Sequence, residues 1–239
     1  MTPFWNDRLI LRVYAGSHSY GTNTKESDED FRGIAIPPAS YLLGMDHWEQ
    51  HEQKDPDTVI YSLTKFVKLA IGNNPNILDA LFVAKNHILF INEFGQELRE
   101  LRYAFLSKQV YKTYGGYAYA QLQKMVRVDK DAQGKRLATI QKYGYDTKNA
   151  MHLIRLLKMG IEILTEGEVN VLRHDNRELM DIRNGKYTRE EIEGEAKRLQ
   201  NLLDAAYVNT TIPTKPDYDK INAWVTDVQR RSLDWRGNK

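Results

Sequence analysis

Cysteine is absent from the 239-residue sequence. This absence excludes disulfides, thiolate zinc sites and cysteine nucleophiles, so any metal must be held by oxygen or imidazole ligands. No apolar run approaches the roughly 18 residues that a membrane span needs. The first ten residues, MTPFWNDRLI, lack the basic and apolar segments of a signal peptide. We therefore expect a cytoplasmic protein with no membrane partner.

Acidic residues are scarce in the middle of the chain. Residues 101–160, called the basic block below, hold twelve Lys/Arg against three Asp/Glu, although the net charge of the whole chain is only +2. Cations mixed with aromatic rings suit a polyanionic partner such as RNA, but they are also found on solvated helical faces above core tyrosines. Both readings stay open. The aromatic residues of the block are Tyr103, Phe105, Tyr111, Tyr114, Tyr117, Tyr119, Tyr143 and Tyr145.

The distribution of apolar residues predicts an α+β fold. Up to residue 91, short β-rich runs alternate with short helices, whereas apolar positions beyond Asn92 recur at three and four, as in helices. We expect domains at 1–91 and 92–239, with a capping box at Thr188 and Glu191. The predicted strands are Leu9–Tyr14, Ile34–Ile36 and Thr58–Leu63. The predicted later helices are Glu93–Leu106, Lys108–Val126, Thr147–Thr165, Asn176–Arg183, Arg189–Tyr207 and Asp217–Ser232.

The stretch from Leu9 to Ile36 carries the strongest chemical signal. A predicted strand ends in Gly16-Ser17, where glycine allows a tight turn and serine offers a hydroxyl and a backbone N–H to a phosphate. Asp28 and Asp30 follow, and on a strand they would project from one face about 7 Å apart. Paired carboxylates opposite a phosphate turn suit a divalent cation, although an isolated Asp-x-Asp is more often a solvated turn.

A second candidate site lies on the predicted helix after Asp146. Lys148, His152 and Arg155 follow one another at spacings of four and three, so one helical face presents all three. Because the rest of this helix is largely apolar, such cations are costly unless they meet an anion. The alternative is that Lys148 and Arg155 are ordinary surface cations and that His152 is a hydrogen-bonded core residue.

Three segments together resemble the polymerase-beta-like nucleotidyltransferase superfamily, and within it the RNA-repair-pathway proteins. The segments are GSHSYGTNTKESDEDFRGI, DTVIYSLTKFVKLAIGNNPNILDALF and YDTKNAMHLIRLL, in family order. Glu29 departs from the pattern, because the family usually has an apolar residue between the two aspartates.

The resemblance implies an N-terminal catalytic palm followed by a helical half, with the active site between them. It also implies a third metal-binding carboxylate on a neighbouring strand, for which Asp57 is the candidate and Asp55 the runner-up. Asp28, Asp30 and Asp57 would then be the catalytic residues and the ligands of Mg²⁺, or alternatively Mn²⁺. The nucleotide-binding residues would be Gly16, Ser17, Lys148, His152 and Arg155.

The implied reaction is attack of a hydroxyl on a nucleoside triphosphate, with transfer of the nucleoside monophosphate and release of pyrophosphate. The basic block and the family likeness favour an RNA 3′ end as the acceptor. Two alternatives remain open: an enzyme of the antitoxin type that attaches AMP to a protein, and a non-catalytic RNA-binding module.

Overall fold

The computed structural model describes residues 3–127 and 134–238 and confirms the α+β class. By contacts the chain forms two compact units. Unit 1 comprises Met1–Ser107 and Lys215–Lys239, and unit 2 comprises Lys108–Thr214. The domain boundary that we expect at 91/92 stays a prediction. The loop predicted at Asp129–Lys135 falls mostly outside the described residues, since 128–133 are not described.

Unit 1 is built on a mixed five-stranded sheet in the order β3-β4-β2-β1-β5. The central pairing of β2 with β4 is parallel, and the other neighbouring pairs are antiparallel. Sequence reasoning missed β3 and β5 and placed the start of β2 four residues late. The strands are β1 Leu9–Ala15, β2 Asp30–Ala35, β3 Gln50–Lys54, β4 Asp57–Ser62 and β5 Ile88–Ile91.

The helices of unit 1 lie between and after these strands in the chain. Ser62 caps α4 by accepting from the Lys65 N–H, and Asn74 caps α5 in the same way, so side-chain oxygens define both starts. The helices are α1 Phe4–Asp7, α2 Gly16–Tyr20, α3 Ala39–Leu42, α4 Leu63–Ile71, α5 Pro75–Phe82 and α6 Glu93–Glu100, with short 3₁₀ turns at Lys85–His87 and Arg102–Phe105. The last helix of the chain, Tyr218–Ser232, also belongs to unit 1.

The described part of unit 2 contains helices and no strand. Its central helix, α9, contacts α7, α10 and α11, and the predicted capping box at Thr188 and Glu191 is confirmed. The helices are α7 Val110–Val126, α8 Gly134–Tyr143, α9 Thr147–Glu166, α10 Asn176–Arg183 and α11 Arg189–Asn209, which makes the helix Tyr218–Ser232 α12. Within residues 3–127 and 134–238, no helix is both long and apolar enough to cross a bilayer.

The register divides the strand side chains of unit 1 between two faces of the sheet. Because neighbours in register point the same way, Asp30, Asp57 and Tyr61 share one face, which we call the carboxylate face. Tyr61 contacts Phe66 of α4 there, with the ring centroids 6.1 Å apart. The opposite face, called the aromatic face, carries Tyr14, Phe31, Ile60 and their in-register neighbours.

Candidate functional site

The phosphate turn predicted at Gly16-Ser17 lies directly after β1. Gly16 has a φ of +58°, and a Cβ at this position would collide with the Asp30 carboxylate. Ala15 and Asp30 are paired in the β1–β2 register, which brings the turn and the carboxylate together. Glycine is therefore required here both for the left-handed backbone and for the close approach of Asp30.

Asp57 lies beside Asp30 at the entrance to the parallel strands. The pairing of β2 with β4 begins at Phe31 and Thr58, so the residues that precede these two enter the sheet side by side. Asp57 accepts a hydrogen bond from Arg32 Nη2 at 3.2 Å in a half-exposed ion pair. Asp55, the runner-up, is exposed in the turn between β3 and β4.

Asp28 does not lie on a strand. β2 begins at Asp30, and Asp28 is exposed in the segment before it, so the strand alternation that we invoked for the pair applies to Asp30 alone. Among the described residues, no three His, Cys, Asp or Glu side chains converge into a ready-made metal site. Asp30 with one more carboxylate nevertheless fits Mg²⁺, which takes one or two carboxylates plus phosphate oxygens and water.

Tyr20 anchors the phosphate turn to the core of unit 1. Its hydroxyl donates to Asp79 Oδ2 of α5 at 2.5 Å, and both side chains are buried. The Thr22 N–H donates to the Ser17 carbonyl at 3.0 Å, which closes the turn from the other side. Sequence reasoning missed Tyr20 and Asp79, although a lone aspartate in the apolar run ILDALF was a signal for a buried partner.

In unit 2, α9 presents the predicted cationic residues. Lys148 is exposed and Arg155 is 5% exposed, with Arg155 Nη1 donating to Met159 Sδ at 3.1 Å. Burial, together with the positive charges of Arg155 and Lys148, lowers the pKa of His152 to about 3. His152 is therefore neutral at physiological pH. Its Nδ1 atom is buried and has no hydrogen-bond partner within the described part of the chain.

Two further cations lie near His152, and sequence reasoning missed both. The positive charges of Arg183 and Lys124 also lower the pKa of the imidazole, after the stronger effects of burial and of the α9 cations. Arg183 and Lys124 lie near His152 because the ends of α10 and α7 contact the start of α9. The Asp146 N–H, just before α9, donates to the Met125 carbonyl of α7 at 3.4 Å. Thr147 Oγ1 likewise donates to the Arg183 carbonyl at 2.7 Å. We call Lys124, Lys148, His152, Arg155 and Arg183 the basic cluster.

The aromatic residues of the basic block divide between core and surface. Tyr114 and Phe105 are fully buried, and buried Tyr145 donates its hydroxyl to the Tyr187 carbonyl at 2.7 Å. Tyr117 and Tyr119, by contrast, are 37% and 64% exposed on α7. Some rings of the basic block are therefore part of the core, and others are accessible to a partner.

Comparison with known proteins identifies the family. The model of the RNA repair pathway DNA polymerase beta family matches residues 4–227. An uncharacterised 38.9 kDa protein of Enterobacteria phage T4, from the nrdC-mobD intergenic region, is 32% identical over 151 residues, which are 56% of this chain and 42% of that protein. The chain thus spans less than half the length of this curated relative.

A solved structure is also similar, the nucleotidyltransferase-like protein from Exiguobacterium sibiricum 255-15. The match covers 94% of this chain and 74% of that one, at 13% identity and a TM-score of 0.28. The family match extends from α1 into α12 and includes both candidate sites. The chain belongs to the RNA repair pathway DNA polymerase beta family.

Proposed function

We propose that this protein is a magnesium-dependent nucleotidyltransferase that transfers a nucleoside monophosphate from a nucleoside triphosphate to a hydroxyl, with an RNA 3′ end as acceptor and pyrophosphate as leaving group. The observation that carries the proposal is the geometry around Gly16: a left-handed glycine turn lies against the Asp30 carboxylate, with Asp57 on the adjacent strand. Family membership supports the reaction class.

Asp30 and Asp57, with the exposed Asp28 nearby, would hold the metal. Bound there, Mg²⁺ would neutralise the charge that develops on the transferred phosphoryl group. The Gly16 turn lets a phosphate approach the backbone, and Ser17 offers it a hydroxyl and an N–H. Arg32 pairs with Oδ2 of Asp57, so it would have to release this oxygen only if Asp57 bound the metal through Oδ2. This release is inexpensive, because half-exposed ion pairs contribute about 0–1 kcal/mol.

The basic cluster of unit 2 is itself suited to phosphate oxygens. Lys148 can act as a mobile point charge from its exposed position, while Arg155 is held by the packing of α9. The neutral His152 can donate or accept one hydrogen bond without adding charge. We assign Lys148, His152 and Arg155 to the triphosphate oxygens, as phosphate oxygens accept readily from such donors.

RNA is the preferred acceptor because the basic block combines cations with accessible rings. The exposed face of α7 contains a shallow cavity of about 490 Å³ whose lining includes Lys112, Gly116, Tyr117 and Lys124. No carboxylate occurs anywhere on α7. A polyanion can therefore approach this helix without meeting a negative charge on it.

The test is to incubate the protein with α-labelled nucleoside triphosphates, Mg²⁺ and either total RNA or cell lysate. We expect label in RNA, loss of labelling with EDTA, and a decrease of at least about 100-fold for Asp30→Asn, as expected when a group that stabilises the transition state is removed. Glu29→Gln is the matched control because it removes the neighbouring carboxylate. If label appeared only in protein, the acceptor would be a protein and the proposal of an RNA acceptor would be wrong. Absence of any transfer by the wild type would overturn the enzymatic proposal.

A further inference from the structure

The aromatic face of the sheet is continuous across four strands. Phe31 on β2 contacts Tyr14 on β1 with ring centroids 5.5 Å apart, and the Arg12 guanidinium lies 4.7 Å from the centroid of the Phe31 ring. Arg12 is in register with Phe90 on β5, which packs with Trp5 and Trp48 over Leu9, Ala35 and Ile60. Arg12 thereby joins two aromatic groups into one surface.

Three buried nitrogen atoms on this surface lack partners. Arg12 Nε, His18 Nε2 and His87 Nδ1 form no hydrogen bond within the residues that the structure describes. Both imidazoles contact the same ring: His18 stacks on Tyr14 at 5.6 Å, and His87 meets its edge at 6.3 Å. Buried polar atoms are nearly always satisfied in folded proteins, so these three atoms, two beside Tyr14 and one over Phe31, are places where a ligand could supply hydrogen-bonding groups.

The charges of the sheet are segregated between its faces. The five strands contain three carboxylates, Asp30, Glu52 and Asp57, and the register places all three on the carboxylate face. The aromatic face receives Arg12 from β1 and His51 from β3, and His51 stacks on Trp5 with centroids 4.6 Å apart. An anionic ligand would therefore meet rings, imidazoles and one guanidinium. No strand carboxylate opposes it, although Glu29, just before β2, accepts a hydrogen bond from the Tyr14 hydroxyl at 3.5 Å.

The surface remains open to solvent at its centre. Phe31 is 7% exposed and forms the floor, whereas Arg12, Tyr14 and Phe90 are only half-buried around it. Base–aromatic stacking requires accessible rings of this kind on neighbouring strands, with a cation close by for the backbone. Protein interfaces are also rich in aromatic rings and arginine, so the three nitrogens named above, rather than the rings, favour RNA over a protein partner.

We propose that the aromatic face binds single-stranded RNA by stacking bases on Tyr14 and Phe90, with Arg12, His18 and His87 contacting phosphates or base edges. This inference rests on the proposed function, since it assigns a binding surface to the proposed acceptor. The surface lies on the side of the sheet opposite the carboxylates, so it holds the body of the strand away from the transfer site.

The test measures the affinity of a fluorescently labelled single-stranded oligoribonucleotide, without nucleoside triphosphate or Mg²⁺. Tyr14→Ala and Phe90→Ala should each weaken binding by about 5- to 100-fold, as expected for a lost base stack. Tyr14→Phe is the matched control, because it keeps the ring and should bind within about 2-fold of wild type. Tyr119→Ala, on α7 of unit 2, shows how much of the binding belongs to the basic block instead.

Fluorescence of Trp5 and Trp48 gives a second readout that needs no catalysis. A base stacked on this face should quench their emission, and Trp5→Phe with Trp48→Phe should remove the quenching while Trp224 and Trp235 remain. Thermal unfolding of each variant verifies that it is folded. Unchanged RNA affinity in folded Tyr14→Ala and Phe90→Ala would overturn the inference even if transfer is observed. RNA binding that is lost in these variants, in a protein that shows no transfer, would support the surface and overturn the enzyme. Binding of proteins but not of RNA to this face would also overturn the inference.

Discussion

His152 provides a quantitative test of the basic cluster. Burial and the surrounding cations lower its pKa to about 3, whereas the unfolded chain should have the ordinary value of about 6.5. Between about pH 6.5 and pH 3, the unfolded state therefore binds a proton on this histidine that the folded state does not bind. Stability contributed by the neutral imidazole is fully present above pH 6.5 and is lost as the pH falls toward 3.

The size of the effect follows from the two pKa values. At pH 5.0 the unfolded histidine is almost fully protonated and the folded one is neutral, which destabilises the protein by about 2 kcal/mol relative to pH 7.5. Glutamine at this position keeps a polar group of similar reach but does not titrate. His152→Gln should therefore lose about 2 kcal/mol less than wild type between pH 7.5 and pH 5.0.

The assay is urea unfolding at the two pH values, followed by far-UV circular dichroism and by tryptophan emission. For each protein, the change in unfolding free energy between pH 7.5 and pH 5.0 is measured. All other histidines are common to both proteins, so the difference between these two changes gives the contribution of position 152. The same loss of unfolding free energy in wild type and His152→Gln would refute the argument that a neutral imidazole lies among cations. A phosphate-like anion should also protect wild type at pH 5.0 more than the variant, because it stabilises the protonated ring.

Three further substitutions test other parts of the structure. Gly16→Ala places a Cβ at φ +58° against the Asp30 carboxylate, so we expect a loss of about 1–3 kcal/mol in thermal unfolding and loss of transfer. Arg173 is fully buried and donates to both carboxylate oxygens of Glu162 at 2.6 Å. Arg173→Met should lower the free energy of unfolding, measured in urea, by about 3–5 kcal/mol. Adding Glu162→Gln to this variant should recover part of the lost free energy, because it removes the carboxylate left without its partner. Gly116 lies in α7 with open space where a Cβ would be, so Gly116→Ala should raise the free energy of unfolding by about 0.5–1 kcal/mol. An unchanged or lower melting temperature would contradict the helical, unobstructed position of Gly116.

The helices after Asn92 were predictable where their signals are local. The limits of α10 and the capping box at Thr188 follow from residues within one or two turns. β3 was missed because its sequence, QHEQK, is polar on both faces, as an exposed edge strand can be. β5 is only four residues long, and its short apolar run ILFI has no period that distinguishes a strand from a helix.

In the candidate sites, too, the residues that sequence reasoning could pair are those close together in the sequence, and those brought together by tertiary contacts were missed. Gly16 and Asp30 stand in one short motif, so the sequence could pair them. Lys124 and Arg183 approach His152 only because the ends of two other helices meet the start of α9, and neither charge is conspicuous in its own segment. Asp28 was assigned to a strand that begins two residues later, since the alternation argument contains no information about where pairing starts.

Strand β2 links the two proposed activities of unit 1. Asp30 and Phe31 are consecutive, and alternation sends the carboxylate to one face and the ring to the other. A slip of one residue that paired Asp30 with Tyr14 would pair Phe31 with Val13, which would send the carboxylate to the aromatic face and the ring to the carboxylate face. The glycine fit around Asp30 and the stacking of Phe31 on Tyr14 therefore select the same register. Any substitution that shifts this register should impair metal-dependent transfer and RNA binding together, whereas Tyr14→Ala should impair RNA binding and leave the Gly16–Asp30 contact intact.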